Sequence, residues 1–161
     1  MHSNKMGEAV ILLGSNIDPA RNIRLGALEL KTHFSIIKTS SVWLTPAVGT
    51  TGPDFYNAAV TCTTDLDADS IKFTILRPIE EKLGRVRTTD KYAPRTIDLD
   101  VIILNNQVLD KRLWKTAFMF LPIAEITPDF PHPDGSVTLA QIATRLAPTS
   151  GARRIQGFSL F

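Results

Sequence analysis

Asp98 and Asp100 stand two residues apart in the stretch Thr96 to Leu104, where Ile97, Leu99, Val101 and Ile103 alternate with them. In an extended strand, side chains two apart leave the same face, so both carboxylates point one way and the aliphatic row the other. Adjacent carboxylates repel, and a hard cation is the simplest compensation. Mg²⁺ suits the pair because it takes one or two carboxylates and completes its shell with water and phosphate oxygens. Two ions about 4 Å apart, as in paired-metal phosphoryl sites, also suit the spacing. The plainer alternative is a solvated strand face, or carboxylates that pair with arginines to hold a loop. The neighbourhood is cationic: Lys82, Arg85, Arg87, Lys91 and Arg95 crowd into one short stretch of a chain with 18 lysines and arginines in 161 residues. Carboxylates and guanidiniums converging on one sheet edge are the mixture that phosphoryl transfer needs, with positioning and charge stabilisation as its main devices.

The elements that must hold these groups follow from periodicity and punctuation. Glu8 to Leu13 is nearly unbroken apolar sequence ending at Gly14, as expected of a central strand buried on both faces. Asp18 as N-cap and Pro19 at the first helical position open a helix carrying Ile23, Leu25, Leu28 and Leu30. Ser35 to Leu44, rich in β-branched residues and stopped at Thr45-Pro46, reads as the second strand, and Phe55 to Thr64 as the third. Asp65 to Leu83 has helical spacing, a stop at Gly84, and Pro78 inside it, which predicts a kink. Thr96 to Leu104 is the fourth strand, turned by Asn105-Asn106. The order β-α-β-β-α-β predicts an α+β, ferredoxin-like sandwich: a four-stranded antiparallel sheet with both helices on one face and right-handed crossovers. Extra C-terminal helical elements are expected at Pro122 to Ile126 and near Thr138 to Leu146.

Size and composition bound the rest. A chain of 161 residues can bury roughly 70% of its unfolded surface. With 43% hydrophobic and 21% charged residues, it has no apolar run near the ~20 residues of a membrane helix. Residues 1–7 are expected to be a disordered tail, and 8–161 a single domain. The tail lacks the apolar stretch of a secretory signal, which points to the cytoplasm. Cys62 stands alone, excluding an internal disulfide, and His2, His33 and His132 have no metal-ligand spacing. A net charge of +2 argues weakly for nucleic acid. RNA-binding modules share this element order, but the fourth strand here would turn carboxylates toward a phosphate backbone.

The run Glu80-Glu81-Lys82-Leu83-Gly84-Arg85-Val86-Arg87, followed by Tyr92-Ala93-Pro94-Arg95-Thr96-Ile97-Asp98-Leu99-Asp100, resembles the signature of the 6-hydroxymethyl-7,8-dihydropterin pyrophosphokinases. Leu13-Gly14-Ser15-Asn16, Pro53 to Ala59 and Phe118 to Ile126 are similar to further segments of that family. The resemblance implies an enzyme that moves the diphosphate of ATP to the pterin alcohol, acting on small molecules as a monomer or weak homodimer, with neither nucleic acid nor membrane as partner. It implies that Asp98 and Asp100 hold two Mg²⁺ ions, and that Arg85, Arg95 and Asp98 are catalytic. Glu80, Arg87 and Tyr92 are implied to bind ATP. Asn57 is implied to read the pterin edge, between Phe55 and Phe118. Family members commonly carry a longer loop after the fourth strand, with a histidine and then an arginine just ahead of the aromatic that here is Phe118. Residues 110–117 are shorter, lack that histidine and have no arginine immediately before Phe118, which leaves Arg112 or Lys115 as the phosphate contact. Arg77 stands where the family commonly has a glutamine near the nucleotide. A pterin-binding relative impaired by the shorter loop is the alternative expectation. The loops 49–53 and 85–92 are expected to be mobile and to close over ATP.

Overall fold

The computed structural model describes residues 6–161. The expected N-terminal tail therefore lies outside the described residues up to position 5, while Gly7 already belongs to β1, Gly7–Ser15. Then follow α1 (Pro19–His33), β2 (Ser35–Thr39), β3 (Trp43–Thr45), β4 (Phe55–Thr64), a helix α2 over residues 68–82, and β5 (Asp98–Leu104). β6 (Gln107–Val108), α3 (Ala117–Ile126), α4 (Leu139–Leu146) and β7 (Arg153–Arg154) complete the chain. Among the described residues no helix is long and apolar enough to cross a membrane.

The expected four-stranded sheet is too small, because the sheet has seven strands in the order β6-β5-β1-β4-β3-β7, with β2 also on β4. The extra strands are two or three residues long, too short to show a period. The single strand expected over Ser35 to Leu44 is divided at Ser40, whose hydroxyl accepts the Ala59 amide at 2.8 Å in place of a regular ladder bond. Asn105 and Asn106 both take positive φ, 51° and 65°, and fold β6 back on β5 as a tight hairpin.

β1 lies between β4 and β5, antiparallel to both, and its unbroken apolar run has a partner on each face. Ala9, Ile11 and Leu13 meet Ile23, Ala27 and Leu30 of α1 and Ile71, Ile75 and Ile79 of α2. Val10 and Leu12 meet α3 and α4 through Phe120, Ile123, Leu139 and Ile142. The C-terminal helices thus cover the second face, and Ile155, Phe158 and Leu160 of the last segment close the first core from outside.

Local expectations fare unevenly. Asp18 does stand at the N-cap of α1, but at φ 42° and without a side-chain capping bond; Pro19 follows at the first turn. α3 starts at Ala117, earlier than the turn expected at Pro122, and carries Pro122 inside it. α4 opens on a capping box between Thr138 and Gln141. Pro78 does not break α2; over Ile71–Leu76 the helix widens into a π-turn, and the Arg77 N–H donates to the Lys72 carbonyl. The wider turn relieves the clash a proline ring would make with the carbonyl four residues back.

α3 is fastened to β3 by one carboxylate. Glu125 accepts the Trp43 indole N–H at 2.5 Å through Oε1, and the Ser41 amide and hydroxyl at 3.2 and 2.9 Å through Oε2. Glu125→Ala is expected to lower the unfolding free energy by about 1–3 kcal/mol, the penalty for stranding part-buried donors. Urea denaturation reads it, and a loss below about 0.5 kcal/mol, the level of a neutral surface change, would refute the clamp.

Candidate active site

A cavity of about 460 Å³ opens where the ends of β1, β4 and β5 meet α2, α3 and the loops 46–54 and 84–97. Its floor is set by register. Gly14 of β1 stands opposite Asn57 of β4 and Asp98 of β5, and Leu12 opposite Ala59 and Asp100. Cross-strand partners share a face, so Asn57, Asp98 and Asp100 project together, with Phe55 two residues from Asn57. Lacking a side chain, Gly14 leaves the space into which the Asn57 amide folds; a Cβ there would lie 2.8 Å from Nδ2.

Asn57 is 3% exposed and its orientation is fixed. The Thr45 hydroxyl donates to Oδ1 at 2.6 Å, and Nδ2 donates to the Leu13 carbonyl at 3.4 Å. One N–H and one carbonyl lone pair stay free for a ligand edge. Phe55 from β4 and Phe118 from α3, both half-buried, line the same cavity. An amide beside two aromatic rings suits a flat, hydrogen-bonding heterocycle.

The charged half is organised around Glu80, near the end of α2 and 2% exposed. Beyond the reach of β6 the outer edge of β5 has no strand partner among the described residues, and the Glu80 Oε2 accepts the Leu99 amide there at 3.0 Å. Arg85 donates to the same oxygen, and Arg87 Nη2 to Oε1 at 2.7 Å. Desolvation by burial raises the Glu80 pKa despite these donors. Arg85 Nη1 also donates to Asp98 Oδ1 at 2.9 Å, and Arg95 Nη1 to Asp98 Oδ2 at 2.9 Å. Arg95 is tied back to the end of β1: its amide donates to Asn16 Oδ1 at 2.7 Å and its carbonyl accepts the Asn16 amide at 3.2 Å.

Asp100 has neither a hydrogen bond nor an ion pair among the described residues. Although its side chain keeps access to water, desolvation in the recess, then the charges of Asp98 and Glu80, push its pKa up to about 6. No group of three or more acidic, histidine or cysteine side chains among the described residues gathers closely enough to cage a metal. Asp98 and Asp100 fit instead an ion that draws most of its ligands from water and substrate, as Mg²⁺ does.

At the rim, Arg112 is held by Asp110 through Nη2 to Oδ2 at 2.7 Å. Tyr92 lies against Gly49, whose φ of 75° and missing side chain let the two loops touch. Of the residues given a role from the sequence, Phe55, Asn57, Glu80, Arg85, Arg87, Tyr92, Arg95, Asp98, Asp100, Arg112 and Phe118 line this one cavity, as does Arg77, whereas Lys115, the alternative to Arg112, does not. Residues to which the sequence reading gave no role also line it or support it: Gly14, Thr45, Lys72 and, behind Arg95, Asn16. Thr45 shows only as the residue ahead of a proline, and Lys72 only as a solvated helix position, so neither carried a local signal.

A sequence profile described as 7,8-dihydro-6-hydroxymethylpterin-pyrophosphokinase matches residues 10–128. The 2-amino-4-hydroxy-6-hydroxymethyldihydropteridine pyrophosphokinase of Methylorubrum extorquens is 34% identical, over 94% of this chain and 100% of that one. Its counterpart in Synechocystis sp. is 33% identical, over 83% of this chain and 73% of that one. Among solved structures, Plasmodium falciparum HPPK-DHPS superposes with a TM-score of 0.72 at 13% identity, over 96% of this chain. The present chain spans half the length of that one, and the likeness is one of fold.

The Asp100 environment has a consequence for stability. Its folded pKa, about 6, lies above the ordinary 3.8, so the folded state holds the proton more tightly. Its contribution is full below the ordinary value and is lost as pH rises through about 6. In metal-free buffer Asp100→Asn is expected to gain stability relative to the unsubstituted protein across that window and to hold the gain above it. Parallel pH profiles in chemical denaturation would show that Asp100 is not desolvated.

Proposed function

The chain belongs to the 7,8-dihydro-6-hydroxymethylpterin-pyrophosphokinase family, and we infer that it transfers the diphosphate of ATP to 6-hydroxymethyl-7,8-dihydropterin in folate biosynthesis, releasing AMP. The observation that carries the assignment of roles is the single cavity in which Asp98, held by Arg85 and Arg95, lies beside the unpaired Asp100 and opposite the oriented amide of Asn57.

The chemistry is attack by the pterin hydroxymethyl oxygen on the β-phosphorus of ATP. A new O–P bond forms, the bond from that phosphorus to the oxygen it shares with the α-phosphorus breaks, and AMP leaves with the electron pair. Asn57 hydrogen-bonds the pterin edge with its free N–H and lone pair, between Phe55 and Phe118, and thereby positions the hydroxymethyl group. Arg85 and Arg95 hold the charge that develops on the transferring group. Arg87, Tyr92 and Arg112 grip the nucleotide, Arg112 from the rim. Glu80, with both oxygens engaged, serves by holding Arg85 and Arg87 in place. Asp98 keeps lone pairs beyond its two guanidinium bonds and relays the hydroxyl proton. Asp98 and Asp100 would hold Mg²⁺, two ions in this reading, which when bound neutralises phosphate charge.

The strand order β5-β1-β4-β2 supports a ferredoxin-like reading of the four long strands, extended at the margins by β3, β6 and β7. A core running from Ala9 to Leu160 supports treating residues 8–161 as one domain. That domain would work in the cytoplasm as a monomer or weak homodimer on small-molecule substrates.

Incubation with ATP, Mg²⁺ and the pterin alcohol should yield AMP and the pterin diphosphate; appearance of ADP instead would refute diphosphate transfer. Arg95→Ala is expected to lose about 2.7–4 kcal/mol of transition-state stabilisation, by analogy with deleted oxyanion donors. Undiminished turnover of that variant would remove Arg95 from the mechanism.

A further inference from the structure

Seven cationic side chains line the cavity against three carboxylates. Arg85, Arg87 and Arg95 are already committed to Glu80 and Asp98, and Arg112 to Asp110. Lys72, Arg77 and Lys91 have no carboxylate partner among the described residues; Lys91 lies over its loop neighbour Tyr92, whereas Lys72 and Arg77 share α2. Moreover, the Arg77 Nε is buried and without any hydrogen-bond partner, although Arg77 lines the cavity. A buried donor on a cation left unpaired is costly, and a water or anion that binds there would satisfy it; the Arg95 Nε is in the same state, but its guanidinium already bonds Asp98.

The backbone brings these two residues together. In a regular α-helix, positions five apart point in different directions. Here the π-turn closes from Lys72 to Arg77, so both side chains reach the same cavity, one turn apart. Phe73, 54% exposed, lies between them, with Lys72 Nζ and Arg77 Cζ each 5.3 Å from its ring centroid. The aromatic face holds both cations while leaving their donors free.

We infer that Lys72 and Arg77 form a cationic arm on the π-turn of α2 that binds the phosphate chain of the nucleotide. This rests on the pyrophosphokinase reading above. The arginines on Asp98 must exchange or share partners to meet a polyanion, whereas this arm meets it with donors unspent. Arg77 supplies a planar fork suited to two phosphate oxygens, and Lys72 a point charge.

The test is calorimetric titration of Lys72→Ala, Arg77→Ala and Arg77→Lys with a nonhydrolysable ATP analogue and with inorganic tripolyphosphate, alongside steady-state kinetics. Each alanine variant is expected to weaken both ligands about tenfold, the loss of one charge-assisted hydrogen bond. The KM for ATP should rise while that for the pterin stays unchanged, and Arg77→Lys should recover part of the loss. Unchanged affinity for the analogue would overturn the inference, as would weaker analogue binding with undiminished tripolyphosphate binding, which would place the arm on the base. Thermal melting confirms the fold of each variant, and exposed Lys72 carries the test alone where Arg77→Ala does not fold. Failure of the unsubstituted protein to release AMP would instead refute the pyrophosphokinase reading, which separates the two.

Discussion

The site depends on a carboxylate that takes the place of a missing strand. At its Asp98 end β5 has, among the described residues, β1 on one side only, and the Glu80 side chain comes from α2 to accept the Leu99 amide on the other. The same carboxylate accepts Arg85 and Arg87, so one buried anion joins the sheet edge, the helix end and the basic loop. Burial raises its pKa, and the guanidiniums and the amide offset that cost. Leaving out this anion would strand the Arg87 guanidinium and a strand amide and would leave Arg85 with Asp98 alone.

From that anchor the charges separate into two kinds. Asp98 bridges Arg85 and Arg95 with one oxygen each, and these three groups form one ion-paired unit before any ligand arrives. Asp100, Lys72, Arg77 and Lys91 are the unspent charges of the cavity, one anion and three cations without an ion-pair partner among the described residues. A nucleotide phosphate chain with its divalent cation matches both signs at once. The neutral half is equally preorganised, since Thr45 and Leu13 hold the Asn57 amide in one orientation and Glu125 fixes α3, which carries Phe118.

Contacts between loops shape the entrance. Tyr92 resting on Gly49 joins the two segments that the sequence presents as separate and mobile, and Asn16 ties the second of them to the end of β1. The opening is thereby framed by segments that touch through a glycine, where any Cβ would collide with the ring.

Much of this was legible beforehand, for definite reasons. Period-two alternation placed Asp98 and Asp100 on one face, the apolar run of β1 declared a strand covered on both sides, and Asn105-Asn106 declared a turn, though not the strand β6 that follows it. Each of these is a local pattern, written in neighbouring side chains. Other features exist only because distant segments meet: the seven-stranded extent of the sheet, the Glu80 bond to Leu99, the room Gly14 leaves for Asn57, and the docking of Phe158 and Leu160. The π-turn lies between the two, since Pro78 announces a disturbance but not its form. Sequence determined which chemical groups share a face, because that follows from backbone periodicity; tertiary structure decided which charges are paired and which stay open, because pairing depends on distances between segments that no local pattern encodes.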